Sequence, residues 1–301
     1  MKVLVTGGSG FVGSRLKYIK PDWVYLSTKD ANLTSLAECC DLINMHKPDA
    51  VVHLAARVGG IKDNLDNPAE FFYTNVSMNT NIVHACYKNN VPRLLASLST
   101  CIFPDKLNRY PFTEEDVFLG APTKSNFSYG YSKRSLLVQI NAYREQYGLN
   151  YSTFSPSNLY GPEDNFDDDK SHFVPAMIRK ILSAKDGEDV IFWGTGTPLR
   201  QQLYVDDLCT LIPKLLENHN TNKPIIVCPD ENLSIYEMIN ACLSITKKQV
   251  NIIFNQQNDG QFRKDGSNQK LKQLIPNVKF TDFKSGLEKT INWYLQNEKI
   301  I

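Results

Sequence analysis

Val3-Leu4-Val5-Thr6-Gly7-Gly8-Ser9-Gly10-Phe11-Val12-Gly13 is the stretch whose reading decides the fold. An apolar run of strand length passes directly into a cluster of glycines, and a helical pattern begins after Gly10. Glycines placed this way allow a tight turn, bring backbone N–H groups close to a pyrophosphate, and let the helix pack against the strand. The spacings Gly7, Gly10, Gly13 and Gly8, Gly10, Gly13 both fit. A merely flexible turn shows the same letters, but the position between a strand and a helix favours a dinucleotide site.

Outward from this turn, strand and helix signals alternate. Lys2–Thr6, Trp23–Ser27, Ala50–Leu54, Leu94–Leu98 and Asn150–Ser155 read as strands. Helices are predicted after Gly10, over Ser35–His46, from Pro68 with Asn67 as N-cap, and from Tyr129 to a stop at Gly148. Such alternation predicts an α/β fold, a Rossmann-type doubly wound parallel sheet covered on both faces. Beyond Asn158 the pattern changes to helices near Val174–Leu182, Asp207–Leu216 and Ile235–Ile245, separated by short strands and polar loops such as Asn255–Gly266. This predicts a smaller C-terminal α/β lobe for the substrate. The expected division is 1–157 for the dinucleotide-binding domain and 158–301 mainly for the lobe, with later segments rejoining the sheet.

Composition narrows the partners. The chain has 301 residues, 42% apolar and 22% charged, with a net charge of +1, so neither nucleic acid nor a membrane surface is an expected partner. No segment reaches the roughly 18 continuous apolar residues of a membrane helix, and no secretory leader pattern stands before the first strand. Seven cysteines, an odd number with Cys39 and Cys40 adjacent, do not form a disulfide framework. The five histidines lack metal-ligand spacing, so no metal is expected. A reducing, cytoplasmic compartment is the expectation.

The second strand ends Leu26-Ser27-Thr28-Lys29. A site for NAD usually places Asp or Glu there to hold the ribose hydroxyls. Thr28 and Lys29 suit a 2′-phosphate instead, and Asp30 comes slightly late for the acidic role, so NADP, with NADPH as hydride donor, is the expected cofactor. Lys29 as a solvated surface lysine is the plainer alternative.

Ser99-Thr100-Cys101 follows the fourth strand, where a parallel sheet presents residues to a ligand. Tyr129 and Lys133 stand at i and i+4 near the start of a helix and share one face. Reducing a ketone by hydride develops negative charge on its oxygen, which needs a proton and hydrogen-bond donors. Tyr129 would give the proton, its pKa lowered by the Lys133 cation; Lys133 would also hold the nicotinamide ribose, and Ser99 would give a second hydrogen bond. Tyr-x-x-x-Lys occurs by chance, as Tyr25-x-x-x-Lys29 along a strand illustrates. The Tyr129/Lys133 match gains weight from its helix, from Ser99 and from the glycine turn.

At these residues the chain resembles the extended short-chain dehydrogenases, and among them the GDP-L-fucose synthase family. The resemblance runs through Ala56-Arg57-Val58-Gly59-Gly60, Leu98 to Lys106, Asn158-Leu159-Tyr160-Gly161-Pro162, Asp164-Asn165-Phe166, Ser171-His172, Trp193-Gly194-Thr195-Gly196, Arg200, and Asp259 to Lys264. It implies epimerisation of GDP-4-keto-6-deoxy-D-mannose at carbons 3 and 5, then reduction at carbon 4, with Cys101 and His172 as the acid/base pair. It also implies cofactor contacts from Gly7, Gly8, Ser9, Gly10, Phe11, Val12, Gly13, Ala55, Ala56, Asn158 and Leu159. Lys180, Trp193, Arg200, Asp259 and Arg263 are implied to hold the GDP-sugar, and a homodimer is implied through the long helices Pro68–Lys88 and Ser132–Tyr147.

Plainer readings stand beside these. Cys101 fits a buried structural thiol, and His172 an N-cap or packed ring before Val174-Pro175. A 4-epimerase needs no acid/base pair at carbons 3 and 5, and a dehydratase calls for an acidic pair where Thr100 and Cys101 stand. A cofactor-sensing protein without catalysis need not keep Ser99, Tyr129 and Lys133 together.

Overall fold

Val3-Leu4-Val5-Thr6 shows no polar alternation because its strand is buried on both faces. The computed structural model describes residues 1–167, 171–257 and 259–297. Its first strands are β1 (Val3–Thr6), β2 (Val24–Leu26), β3 (Ala50–His53), β4 (Arg93–Ser97) and β5 (Asn150–Pro156). After them come β6 (Asn158–Tyr160), β7 (Asp189–Phe192), β8 (Leu199–Arg200), β9 (Gln202–Tyr204) and β10 (Ile225–Val227). β11 (Leu233–Ser234), β12 (Asn251–Phe254) and β13 (Arg263–Lys264) complete the series.

Six strands form one parallel sheet in the order β10-β5-β4-β3-β1-β2. The chain winds from β1 to β2 in one direction and from β3 onward in the other. The reversal leaves a crevice at the carboxyl ends of β1 and β3, where open α/β sheets bind ligands. β10 rejoins the sheet from within the later half of the chain; its three residues carry no alternation that would mark a strand.

The early helices are α1 (Phe11–Ile19), α2 (Leu36–His46), α3 (Ile61–Asp66), α4 (Pro68–Lys88) and α5 (Phe127–Tyr147). The later ones are α6 (Phe173–Ser183), α7 (Val205–Asn218), α8 (Ile235–Thr246), α9 (Gln269–Leu274) and α10 (Phe283–Asn297). One apolar core, with Leu42, Ile82, Leu94, Leu136 and Tyr151, joins α2, α4 and α5 to one sheet face. Another, with Val5, Leu16, Leu95 and Leu208, joins α1 and α7 to the opposite face. A third, with Tyr160, Met177, Ile239 and Leu287, belongs to the lobe.

One expected cap differs. Asn67 precedes α4, but its amide donates to Asp63 Oδ1 at 2.8 Å and makes no cap bond. The short helix α3 ends directly before Asn67 and takes that side chain. Among the described residues, no helix is long and apolar enough to cross a membrane.

Candidate active site

A cavity of about 1300 Å³ lies between the carboxyl edge of the sheet and the lobe. At its floor, β1 turns into α1. Gly10 N–H donates to Gly7 O at 3.0 Å, closing the turn. A Cβ on Gly13 would strike Gly7 O and Gly8, so the helix approaches the turn only because that position is glycine. Ser9, Gly10, Phe11 and Val12 line the cavity at the amino end of α1, where N–H groups and the helix dipole favour a pyrophosphate. Gly8 is not on the wall; it packs against Tyr25 and Leu26.

Beyond β2, Ser27, Thr28 and Asn32 line the cavity. The Asp30 carboxylate accepts hydrogen bonds from Ser27 N (2.7 Å) and Ser27 Oγ (2.8 Å), which hold it below the usual carboxylate range. It is committed to its own turn, together with the Ser27 hydroxyl that donates to it, and leaves Thr28 on the wall. Lys29 is exposed and off the wall, its backbone N–H donating to Ser27 Oγ at 3.2 Å. The structure thus puts Ser27, which the sequence reading did not single out, where Lys29 was expected. Ala55, Ala56, Asn158 and Leu159 complete the cofactor end of the wall.

Ser99, Cys101, Tyr129, Lys133 and His172 all face this one cavity. Ser99 stands two residues past β4 and caps a 3₁₀ turn, its Oγ accepting from Cys101 N at 3.2 Å, which leaves its O–H free to donate. A Cβ on Gly130 would meet Cys101 O at 2.7 Å and Pro122 Cβ at 2.8 Å. That glycine lets the start of α5, and so Tyr129, sit directly on the Cys101 turn. Lys133 is buried, donates to Ser97 O at 2.9 Å, and has its pKa lowered by burial to about 8.

The sequence reading had Lys133 lowering the Tyr129 pKa; the structure reverses the sign. Part of the Tyr129 surface opens to the cavity, yet the ring lies deep, and burial, then Cys101, pushes the phenol up. Lys133 Nζ lies 5.9 Å from the ring centroid and is directed to Ser97 O. His172 stands at the N-cap position of α6 without making a cap bond, which removes its capping reading. Its ring presents surface to the cavity but lies deep within it; burial, then the Lys264 charge, lowers its pKa.

At the far end Lys180, Trp193, Arg200 and Asp259 line the cavity. Trp193 is 57% exposed, so it is not a core residue. Lys180 Nζ donates to Ile191 O at 3.1 Å beside the Phe192 ring. Asp259 accepts from Thr195 N at 2.6 Å and from Thr195 Oγ1, pinning the Trp193–Gly196 loop. Arg263 is not brought into the site: it pairs with Asp265 at 2.5 and 2.9 Å and lies over Tyr110.

Two further wall residues escaped the sequence reading. Asn126 Nδ2 donates to Cys101 Sγ at 2.8 Å, and Lys264 Nζ donates to the same sulfur at 3.2 Å. Lys264 lay inside the Asp259–Lys264 segment; Asn126, in an irregular loop, carried no signal.

The NAD dependent epimerase/dehydratase family profile matches residues 3–228. The probable GDP-L-fucose synthase of Drosophila melanogaster is 36% identical over 98% of both chains. The GDP-L-fucose synthase of Dictyostelium discoideum is 37% identical over 98% of this chain and 95% of its own. A crystal structure of a GDP-L-fucose synthetase from Naegleria fowleri bound to NADP superposes with a TM-score of 0.90 at 34% identity, covering 98% of this chain and 92% of that one.

Proposed function

We infer the reaction from one premise: this chain belongs to the NAD dependent epimerase/dehydratase family and, within it, to the GDP-L-fucose synthases. It is an NADP-dependent enzyme that epimerises GDP-4-keto-6-deoxy-D-mannose at carbons 3 and 5 and reduces carbon 4, giving GDP-L-fucose. The observation that carries this reading is the convergence of a reducing set, Ser99, Tyr129 and Lys133, and an acid/base set, Cys101 and His172, on one cavity wall.

NADPH supplies the hydride. Its pyrophosphate fits the N–H groups at Ser9–Val12, and its 2′-phosphate the Thr28 hydroxyl on the wall beyond β2. Tyr129 gives the proton to the carbon-4 oxygen. Burial keeps that phenol protonated at neutral pH, as the donor in a reduction must be. Ser99 gives the second hydrogen bond to the same oxygen, and Lys133, braced on Ser97 O, holds the nicotinamide ribose.

Carbons 3 and 5 flank the ketone, so their protons are acidic, and inversion removes a proton from one face and returns one to the other. Cys101 and His172 perform these transfers, while the enolate oxygen uses the same Ser99 and Tyr129 donors that later serve the alkoxide. Lys180, Trp193 and Arg200 hold the GDP end, with Asp259 fixing the loop that carries Trp193. We place the enzyme in the cytoplasm as a homodimer.

The test is to incubate the protein with NADPH and the keto sugar and identify the product. GDP-L-fucose with stoichiometric NADPH oxidation is expected. Reduction without inversion at carbons 3 and 5 would reassign the protein as a simple 4-reductase, and no oxidation with any keto-sugar nucleotide would leave it a binding protein.

A further inference from the structure

The geometry points to Asn126 and Lys264 as positioning residues for Cys101: together they aim its sulfur into the sugar site and stabilise negative charge on it. This rests on the epimerase reading and adds residues that reading does not contain.

Two N–H donors reach one sulfur from separate parts of the chain. Asn126 comes from the loop before α5, at 2.8 Å, and Lys264 from β13 in the lobe, at 3.2 Å. A thiol needs no such partners for packing; the other cysteines, apart from Cys40, are buried. Charge-assisted N–H donors stabilise sulfur most when it carries charge, the form that takes a proton. Tyr129 and His172 line the same cavity: burial, then Cys101, pushes the Tyr129 phenol up, and burial, then the Lys264 charge, lowers the His172 pKa. Lys264 thus acts on both members of the acid/base pair.

The lobe is fastened where this matters. Gln261 Nε2 donates to Asp105 O at 2.8 Å and Thr123 Oγ1 donates to Gln261 Oε1 at 3.3 Å, so the segment carrying Lys264 is tied to the chain just after Cys101 and to the loop that carries Asn126. β13 also pairs with β8, which carries Arg200. Docking of this segment therefore completes the epimerase half of the site, while Tyr129, Lys133 and Ser99 stay assembled on the sheet.

The test uses the full chain with Lys264→Met, Asn126→Ala and Lys264→Arg, each checked for an unchanged melting temperature. Without substrate, alkylation of Cys101 by iodoacetamide is followed by mass spectrometry across pH. At pH 7 the Met and Ala variants should react about tenfold more slowly, and Lys264→Arg should stay near the unmodified rate. With NADPH and the keto sugar in deuterated water, the two slow variants should incorporate less deuterium at carbons 3 and 5 and release sugars reduced before full inversion. Unchanged alkylation curves overturn the proposal. So does a raised KM with unchanged product partition, which would make Lys264 a phosphate ligand only. The alkylation arm needs no substrate, so it still reads the sulfur's partners if the unmodified chain fails to make GDP-L-fucose.

Discussion

At the scale of the residue, burial decides more than charge. Tyr129 lies so deep that the Lys133 cation does not bring its phenol down, and a protonated phenol suits reduction. Tyr129→Phe should lower kcat for NADPH oxidation by about a hundredfold or more, the scale of a lost proton donor, while fluorescence titration shows NADPH binding nearly unchanged. Near-normal turnover would remove Tyr129 from the chemistry. Asp164 shows burial with little compensation: one carboxyl oxygen accepts from Asn165 N at 2.7 Å, the other has no partner among the described residues, and burial raises the pKa from 3.8 to about 7. Between those values the folded chain holds a proton that the unfolded chain has released. The stability this contributes is complete below pH 3.8 and is lost as pH rises through about 7. Asp164→Asn abolishes the titration, so its melting temperature should exceed that of the unmodified chain at pH 8 by more than at pH 5. An equal difference at both pH values would mean that the titration is not the cause. Ser99, Tyr129 and Lys133 stand out in the sequence because each sits near an element end, and Cys101 and His172 only through the family resemblance, whereas the Asn126 and Lys264 contacts to Cys101 arise only when a loop and a distant strand meet.

At the scale of the element, legibility follows length and periodicity. α4 and α5 run through 21 residues each and repeat their apolar positions locally, so sequence alone bounds them closely. β10 has three residues and pairs with β5 from beyond α6 and α7, a contact no local window contains. The Asn67 cap failed because a neighbouring short helix competes for the same side chain. The β1–α1 turn was the most legible element because its glycines answer to backbone contact and not to distant packing. Gly13→Ala tests it: the added methyl meets Gly7 O and Gly8, backbone that cannot swing away. Overpacking of this kind costs about 1–3 kcal/mol, so NADPH affinity should fall by about tenfold or more while circular dichroism keeps its α/β signature. Unaltered affinity by calorimetric titration would mean that the pyrophosphate does not use this turn.

At the scale of the whole molecule, the surface of α4 and α5 calls for a partner. Where these helices face each other their aromatic residues are already used: Tyr87 stacks on Tyr147 at 4.2 Å, and His84 Nδ1 meets Tyr143 Oη at 2.6 Å. Phe72 on α4 remains 43% exposed, Tyr73 69%, and Val138 on α5 54%. Apolar side chains grouped on two long adjacent helices favour a two-fold pairing in which the same helices of each copy meet, and a closed dimer buries the patch on both chains at once. Light scattering at micromolar concentration should give a mass of two chains. Tyr73→Glu with Val138→Glu places four like charges in that interface and should shift the mass toward one chain, with the melting temperature falling and becoming concentration-independent. The cofactor end of the cavity is built from the β1–α1 turn and the end of β2, away from the α4 and α5 surface residues Tyr73 and Val138, which do not line it, so the monomeric variant should still bind NADPH. A single-chain mass for the unmodified protein would overturn the dimer, and a dimeric double variant would move the interface off these helices.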